Sequence, residues 1–269
     1  VKYGRIALIA GGGDLPLIFL RNAEKKGQDV LVFEIQGEGN PGLSSFKFEK
    51  IRINITHLED MIKITRQKGI KHIMFLGYVR PEKLLKDFIF DERTRKAFLG
   101  LKDKSAKALM ESAISEFEKD GIRTLPTTYL MDEALSPAGS LTKLKPDLRE
   151  SMHAIKIARS LAHLEVGQTV VAASGMIWAV EAMEGTDNCI KRGAKLSRKP
   201  FTVIKMARPK QDIRYDIPAI GLKTVRLIKS LGGRGIIIEA GRTFLLNKEE
   251  LLRYADGNNL FIYGWRKSR

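Results

Sequence analysis

The stretch RIALIAGGGDLPLIFLRNAEKKG, residues 5–27, decides how this chain is read. Arg5–Ala10 is a short apolar strand, Gly11–Gly13 a tight turn, and Leu15–Lys26 a helix that Gly27 ends. Pro16 suits the first turn, where its missing N–H would be unpaired anyway, and Asp14 is placed to cap the other exposed amides. The same alternation continues outward. Asp29–Ile35 reads as a strand, His57–Lys68 as a helix stopped by Gly69, and Ile70–Leu76 as a buried strand. Ser105–Lys119 is a helix ended by Gly121, leading to a short segment at Ile122–Leu125. Strands alternating with helices argue for a parallel sheet covered by helices.

The texture changes near Tyr129–Pro146, where Leu135-Ser-Pro-Ala-Gly-Ser-Leu-Thr142 reads as a linker or edge loop. Beyond it the pattern predicts a helix over 148–164 and a hairpin of strands 169–173 and 176–183. A strand over 201–207, a helix over 222–231, a strand over 235–239, a helix over 248–255 and a strand over 260–263 complete it. The fold class is α/β in two domains, 1–135 and 136–269.

Composition narrows the function. With 269 residues, 43% hydrophobic and 29% charged, the chain is an ordinary globular protein. A single cysteine, Cys189, excludes a disulfide-built scaffold and favours the cytoplasm. No apolar run approaches the ~20 residues needed to span a bilayer, and Val1–Ala10 do not lead into a signal-peptide pattern. The formal net charge is +16, and between Cys189 and Arg214 nine basic residues stand against one acidic residue. Phosphate esters, nucleotides or an acidic membrane surface are the expected partners. Nucleic acid is not expected, because aromatic residues, 7% of the chain, do not supply an interleaved stacking platform there. His57, His72, His153 and His163 have no metal-ligand spacing. Lysine enrichment can also simply solubilise a protein.

Five stretches carry candidate chemistry. In the loop Gly11-Gly12-Gly13-Asp14, glycines let backbone amides approach a phosphate or ribose at the positive end of a helix; a purely structural turn is the alternative. It is neither a dinucleotide fingerprint nor a P-loop, since Pro16 holds the third glycine position and no Gly-Lys-Ser/Thr follows. Gly77-Tyr-Val-Arg80-Pro81 ends a buried strand, where Arg80 either meets a phosphate or is an ordinary surface charge. In Glu181-Ala-Met-Glu184-Gly-Thr186-Asp187, strand alternation puts Glu181 on an apolar face, so it must be salt-bridged, protonated or bound to metal. Two or three such carboxylates with phosphate oxygens make a Mg²⁺ site.

The densest group is Lys205, Arg208, Gln211, Asp212, Arg214 and Asp216. On an extended backbone Asp212, Arg214 and Asp216 share one face, with Arg214 between two acids. Lys205 and Arg208 could neutralise phosphoryl oxygens, although a surface ion-pair ladder would use the same letters. Finally, Glu239-Ala-Gly-Arg242-Thr follows the buried run Gly235–Ile238, where Glu239 is either a ligand or base or simply the partner of Arg242. There is no Gly-x-Ser-x-Gly elbow and no histidine near Cys189 in sequence, so covalent catalysis has no support.

Taken in order, Ile9-Ala-Gly-Gly-Gly-Asp-Leu-Pro16, Gly77-Tyr-Val-Arg-Pro81, Val180-Glu-Ala-Met-Glu-Gly-Thr-Asp187, Lys205-Met-Ala-Arg-Pro-Lys-Gln-Asp-Ile-Arg-Tyr-Asp-Ile-Pro218 and Glu239-Ala-Gly-Arg-Thr243 resemble the UDP-2,3-diacylglucosamine pyrophosphatases of the LpxI type. The resemblance implies an amino-terminal Rossmann-like domain with a parallel sheet and a carboxy-terminal mixed α/β catalytic domain. It also implies Mg²⁺-assisted hydrolysis of UDP-2,3-diacylglucosamine to UMP and 2,3-diacylglucosamine 1-phosphate, a step of lipid A biosynthesis. Water attacks the α-phosphorus, at the cytoplasmic face of the inner membrane, with a homodimer left open.

By matching motif, the resemblance implies Asp216, Asp212, Arg214 and Lys205 as the catalytic group. Substrate contacts fall on Gly11, Gly12, Gly13, Asp14, Gly77, Arg80, Thr186, Arg208, Gln211, Glu239 and Arg242. Metal candidates are Asp216, Asp212, Glu181, Glu184 and Asp187. Two departures stand out: Lys104 follows Asp103 where relatives carry a second acid, and Lys210 stands where a glycine is commoner. A pyrophosphatase for a non-lipid nucleotide sugar, or a nucleotide- or RNA-binding protein without activity, are the competing readings.

Overall fold

The computed structural model describes residues 2–79, 90–103 and 105–267, which leaves Arg80 and Lys104 outside the described residues. The chain forms two compact units, Val1–Met131 with Ile213–Tyr215, and Asp132–Asp212 with Asp216–Arg269.

The first unit runs β1 (Ile6–Ala10), α1 (Leu15–Lys26), β2 (Val30–Ile35), β3 (Glu49–Ile53), α2 (Leu58–Gln67), β4 (His72–Leu76), α3 (Glu92–Leu99), α4 (Ala106–Lys119) and β5 (Arg123–Thr124). The sheet order is β3-β2-β1-β4-β5 and every pairing is parallel. All five residues of central β1 are buried, as a strand covered on both faces requires. β3 and α3 were not expected from the sequence. β3 reads Glu-Lys-Ile-Arg-Ile, an edge strand too polar to resemble its neighbours, and α3 is started by Asp91, whose carboxylate accepts the Thr94 N–H at 2.6 Å.

Asp14 occupies the N-cap position of α1, but its carboxylate caps no amide. Its backbone is already helical (φ −91°, ψ −15°), whereas a capping side chain needs an extended residue to reach back over the first turn. The expected cap is therefore absent.

Gly77 demands glycine for two reasons at once. Its φ is +90°, and a Cβ there would lie 2.4 Å from the Gly12 carbonyl oxygen. Gly69 has a similar φ, +66°, with nothing within 4 Å of its would-be Cβ. Gly69→Ala should therefore cost about 1 kcal/mol from backbone strain alone, and Gly77→Ala about 3 kcal/mol or more. Denaturant melts of the two variants side by side test this, and equal losses would remove the close approach as the reason.

The second unit runs β6 (Gly139–Ser140), α5 (Leu148–His163), β7 (Thr169–Ala173), β8 (Met176–Val180), α6 (Gly185–Ser197), β9 (Thr202–Lys205), β10 (Ala219–Ile220), α7 (Leu222–Ser230), β11 (Gly235–Glu239), β12 (Phe244–Leu245), α8 (Lys248–Gly257) and β13 (Phe261–Trp265). Its main sheet has the order β6-β13-β11-β9-β7-β8 and is mixed, with β13, β11 and β9 parallel and β6, β7 and β8 antiparallel to their neighbours. β10 and β12 form a separate parallel pair. Alternation along the strands feeds two cores. Val171, Val203, Ile236 and Ile262 face Ile190, Val225, Ile228 and Leu251 of α6, α7 and α8. Val170, Ile204 and Ile237 face Ala154, Ile155 and Ala158 of α5.

α6 corrects the sequence reading around residue 185. β8 stops at Val180 instead of running to Met183, whose side chain is fully exposed. Gly185, Thr186 and Asp187 are not a turn after a strand but the first turn of a helix. The helix packs closely on β7, since a Cβ on Gly193 would lie 2.5 Å from the Val171 Cβ.

Candidate active site

In the first unit, the glycine loop and the end of β4 lie backbone to backbone. The Gly11 N–H donates to the Leu76 carbonyl at 2.9 Å, and Gly12 and Tyr78 exchange N–H···O bonds of 2.8 and 3.1 Å. A Cβ on Gly11 would sit 2.6 Å from the Tyr78 carbonyl oxygen. The glycines thus serve contact between two loops, and the amides of Gly11 and Gly12 are already bonded inside the unit. The Tyr78 ring, 60% exposed, lies along Gly12 and Gly13 and is the side chain that a ligand at this loop would meet. Sequence reasoning passed over Tyr78, although it sits inside a quoted motif.

In the second unit, β9 carries Lys205 to a buried polar cluster. Lys205 and Glu181 are only 8% and 7% exposed. The Thr186 hydroxyl, in the first turn of α6, links them: Lys205 Nζ donates to it at 3.1 Å, and it donates to Glu181 Oε1 at 3.0 Å. Glu181 Oε2 accepts the Gln168 N–H at 3.3 Å, and Thr169 Oγ1 lies 3.3 Å from Thr186 Oγ1. Burial pulls the Lys205 ammonium below its ordinary pKa, and the charges of Glu181 and Asp187 oppose that shift. Gln168 and Thr169 belong to this cluster and had no signal in the sequence beyond lying at the start of an apolar strand.

The remaining acids of the motif face cations. Glu184 is paired with Arg192, whose hydrogen bond holds its carboxyl below the usual carboxylate range. Asp187 lies 2.8 Å from Lys223. Cys189 is buried, and burial pushes its thiol up to about 12, so it offers no thiolate nucleophile.

The third group follows β9. Its backbone is not extended across 212–216, as the sequence reading assumed, but turned: the Asp216 N–H donates to the Asp212 carbonyl at 2.9 Å. Asp212 and Asp216 belong to the second unit and Ile213–Tyr215 to the first. There Arg214 meets Glu118 at 3.0 Å, Tyr215 meets Glu111 at 3.3 Å, and the Ile213 carbonyl accepts both the N–H and the hydroxyl of Thr127 at 2.8 Å.

In the second unit, Arg208 Nη1 stands 3.7 Å from Asp216 Oδ2. The Gln211 Oε1 accepts the Arg208 N–H at 3.2 Å, while Arg208 Nε and Gln211 Nε2 are buried without a hydrogen-bond partner. Glu239 accepts the Ala207 N–H at 3.0 Å, and Arg242 donates to the carbonyls of Arg208 and Pro209 at 2.7 and 3.1 Å. Those two side chains thereby hold the backbone that presents Arg208 and Gln211.

Among the described residues, no three His, Cys, Asp or Glu side chains gather where they could hold a metal ion. Glu181, Glu184 and Asp187 each face a cation of the chain, which a divalent metal would have to displace. Asp212 and Asp216 stand one turn apart, with Asp216 itself 3.7 Å from Arg208, and such a pair of carboxylates is the kind of set to which Mg²⁺ adds water and phosphate oxygens.

Models of the LpxI N-terminal domain and the LpxI C-terminal domain match residues 5–134 and 137–263. The UDP-2,3-diacylglucosamine pyrophosphatase LpxI of Caulobacter vibrioides is 30% identical over 275 residues, covering 97% of this chain and 97% of that protein. The chain belongs to the LpxI family. The resemblance carried by the five motifs is borne out, and so is the two-part α/β architecture, a parallel-sheet unit followed by a mixed one. Solved structures are far more distant from this LpxI chain. A leucoanthocyanidin reductase–NADPH complex from Vitis vinifera gives a TM-score of 0.30 at 12% identity, over 59% of this chain and 45% of that one. A phosphoribosylglycinamide synthetase from Anaerococcus prevotii gives 0.29 at 12%, over 74% and 44%. The chain spans less than half of either protein, and at such scores neither likeness bears on LpxI chemistry.

Proposed function

We propose that this LpxI chain hydrolyses the pyrophosphate bond of UDP-2,3-diacylglucosamine, releasing UMP and 2,3-diacylglucosamine 1-phosphate by attack of water at the α-phosphorus. Membership of the family supports the reaction. The observation that supports its place is the pair of buried, unpartnered donors Arg208 Nε and Gln211 Nε2 beside the Asp216 carboxylate. Buried donors without acceptors are destabilising, and phosphoryl oxygens are the acceptors that would complete them. Arg208 and Gln211 then orient the diphosphate, Glu239 and Arg242 hold the loop, and Asp216 accepts a proton from water or aligns it. Lys205 contributes positive charge held in place by Thr186 and Glu181. When bound, Mg²⁺ would supply further charge neutralisation at the diphosphate, with Asp212 and Asp216 as the residues to hold it.

No helix among the described residues is long and apolar enough to cross a membrane. A lipid substrate therefore calls for peripheral contact at the cytoplasmic face of the inner membrane, which the net charge of +16 favours electrostatically. A homodimer is the assembly this reading admits, and light scattering during gel filtration counts the chains.

Turnover of UDP-2,3-diacylglucosamine in ¹⁸O-water, with Mg²⁺ and with EDTA, tests the reaction. Label is expected in UMP only when Mg²⁺ is present. Label in the sugar phosphate would move the attack to the other phosphorus, and no turnover would end the hydrolase reading.

A further inference from the structure

Three residues from the second half of the chain are built into the first unit, and they lie in sequence between the two acids proposed for the chemistry. Asp212 and Asp216 flank Ile213–Tyr215, and the Asp216 N–H closes the turn on the Asp212 carbonyl at 2.9 Å. A residue next to an anchored one inherits its position, because consecutive Cα atoms are only ~3.8 Å apart. Whatever holds 213–215 therefore bears on where the Asp216 carboxylate stands.

The Ile213 side chain is 54% exposed, so apolar burial does not fix it. Its carbonyl is fixed instead, accepting both the N–H and the hydroxyl of Thr127 at 2.8 Å each. Thr127 is buried, and two residues before it the Leu125 N–H donates to the Ile73 carbonyl of β4 at 2.8 Å. The Thr127 donors thus stand at the end of the parallel sheet. One N–H already satisfies the Ile213 carbonyl, so the added hydroxyl chiefly fixes the direction of the peptide leading into Arg214. The next two residues are held from α4. Glu118 meets Arg214 at 3.0 Å, and Glu111 accepts from the Tyr215 hydroxyl at 3.3 Å. Those glutamates are seven residues apart, two turns along one face of α4, and the Tyr215 ring packs on a core that includes Ile114 and Phe117.

We infer that Thr127 and Glu118 are positioning residues for the hydrolysis. Through Ile213 and Arg214 they set where the Asp216 carboxylate stands, 3.7 Å from Arg208. This role rests on the one proposed for Asp216, and it gives Arg214, counted in the catalytic group by motif, the work of holding the turn.

The test uses the full chain, UDP-2,3-diacylglucosamine and Mg²⁺. Thr127→Val keeps volume and branching but loses the hydroxyl, Thr127→Ser keeps the hydroxyl, and Glu118→Ala removes the ion pair. Thr127→Val should lower kcat about tenfold, and its combination with Glu118→Ala about thirtyfold, with KM within about threefold, because small misplacements of a reacting group are costly. Thr127→Ser should recover most of the loss. Arg66→Gln, which breaks the pair with Asp120 just beyond α4, should stay within about twofold. In an Asp216→Asn background, Thr127→Val should cost no more than about twofold, since the group it places is gone. Hydrogen exchange of the Asp216 amide reads the turn without turnover: Thr127→Val should speed it about fivefold or more, and Arg66→Gln should not.

Near-full turnover by Asp216→Asn would fail the role of Asp216 and this one with it. Collapse of Asp216→Asn beside an unaffected Thr127→Val overturns the positioning alone. So does a Thr127→Ser as slow as Thr127→Val, a Thr127→Val loss that multiplies with that of Asp216→Asn, or unchanged exchange at the Asp216 amide.

Discussion

Asp216→Asn is expected to lower kcat for UDP-2,3-diacylglucosamine hydrolysis by about 10²- to 10⁴-fold, the usual reach of a positioned acid–base group. The direction of KM separates the roles open to Asp216. Its carboxylate lies 3.7 Å from Arg208, so removing the negative charge frees that guanidinium for the substrate diphosphate. KM should therefore stay level or fall while kcat collapses, the pattern of an interaction made in the transition state. Gln211→Ala should do the opposite in kind, because its buried amide N–H is a binding donor: KM rises about tenfold and kcat changes less. Steady-state kinetics with and without Mg²⁺ checks both. Near-full turnover of Asp216→Asn with unchanged metal dependence would remove Asp216 from the chemistry.

Much of the fold was legible because buried parallel strands announce themselves. β1, β2 and β4 are short, largely apolar stretches (IALIA, VLVFEI and HIMFL) bounded by glycines, too short for helices and too apolar for loops. β3 escaped because an edge strand keeps one side in water, so Glu-Lys-Ile-Arg-Ile lacks the apolar density of its partners. α6 escaped for a different reason. Its signal was present, with Asp187 in the first turn, Cys189, Ile190 and Gly193 inward, and Lys195 near the end. The apolar run 176–180 ahead of it drew the strand too far, and the tertiary approach of Gly193 to Val171 is invisible in one dimension.

The candidate site was legible in its letters and not in its pairings. Lys205, Thr186 and Glu181 were singled out from separate motifs, yet nothing in a sequence says that one threonine hydroxyl joins the other two. Asp212, Arg214 and Asp216 were placed on one face by strand alternation, and the turn at 213–215 undoes that premise. The glycine loop shows the converse: its composition suggested amides open to a ligand, while Gly11 and Gly12 use theirs against β4 and Tyr78.

Glu181→Gln should be the most destabilising conservative change in the second unit, by about 3 kcal/mol. The substitution leaves the buried Lys205 ammonium without its nearest opposing charge, and an uncompensated buried cation is worse than none. Adding Lys205→Met should recover part of the loss, giving a coupling of about 1 kcal/mol or more in a double-mutant cycle.

The pH dependence has a definite sign. The folded state holds Lys205 below its ordinary pKa, so the unfolded chain binds its proton more tightly. Stability therefore rises with pH between the folded and the unfolded pKa, and the burden is fully present below the folded one. Glu181→Gln removes the larger of the two charge effects that raise the Lys205 pKa, leaving that of Asp187, and so widens that window downward. Its deficit should shrink as pH climbs toward 10, while the Lys205→Met background should show no such recovery. Urea melts across that range decide the matter: additive losses in the cycle, or a Glu181→Gln deficit flat in pH, would mean that Glu181 serves Thr186 and the Gln168 amide and not the lysine.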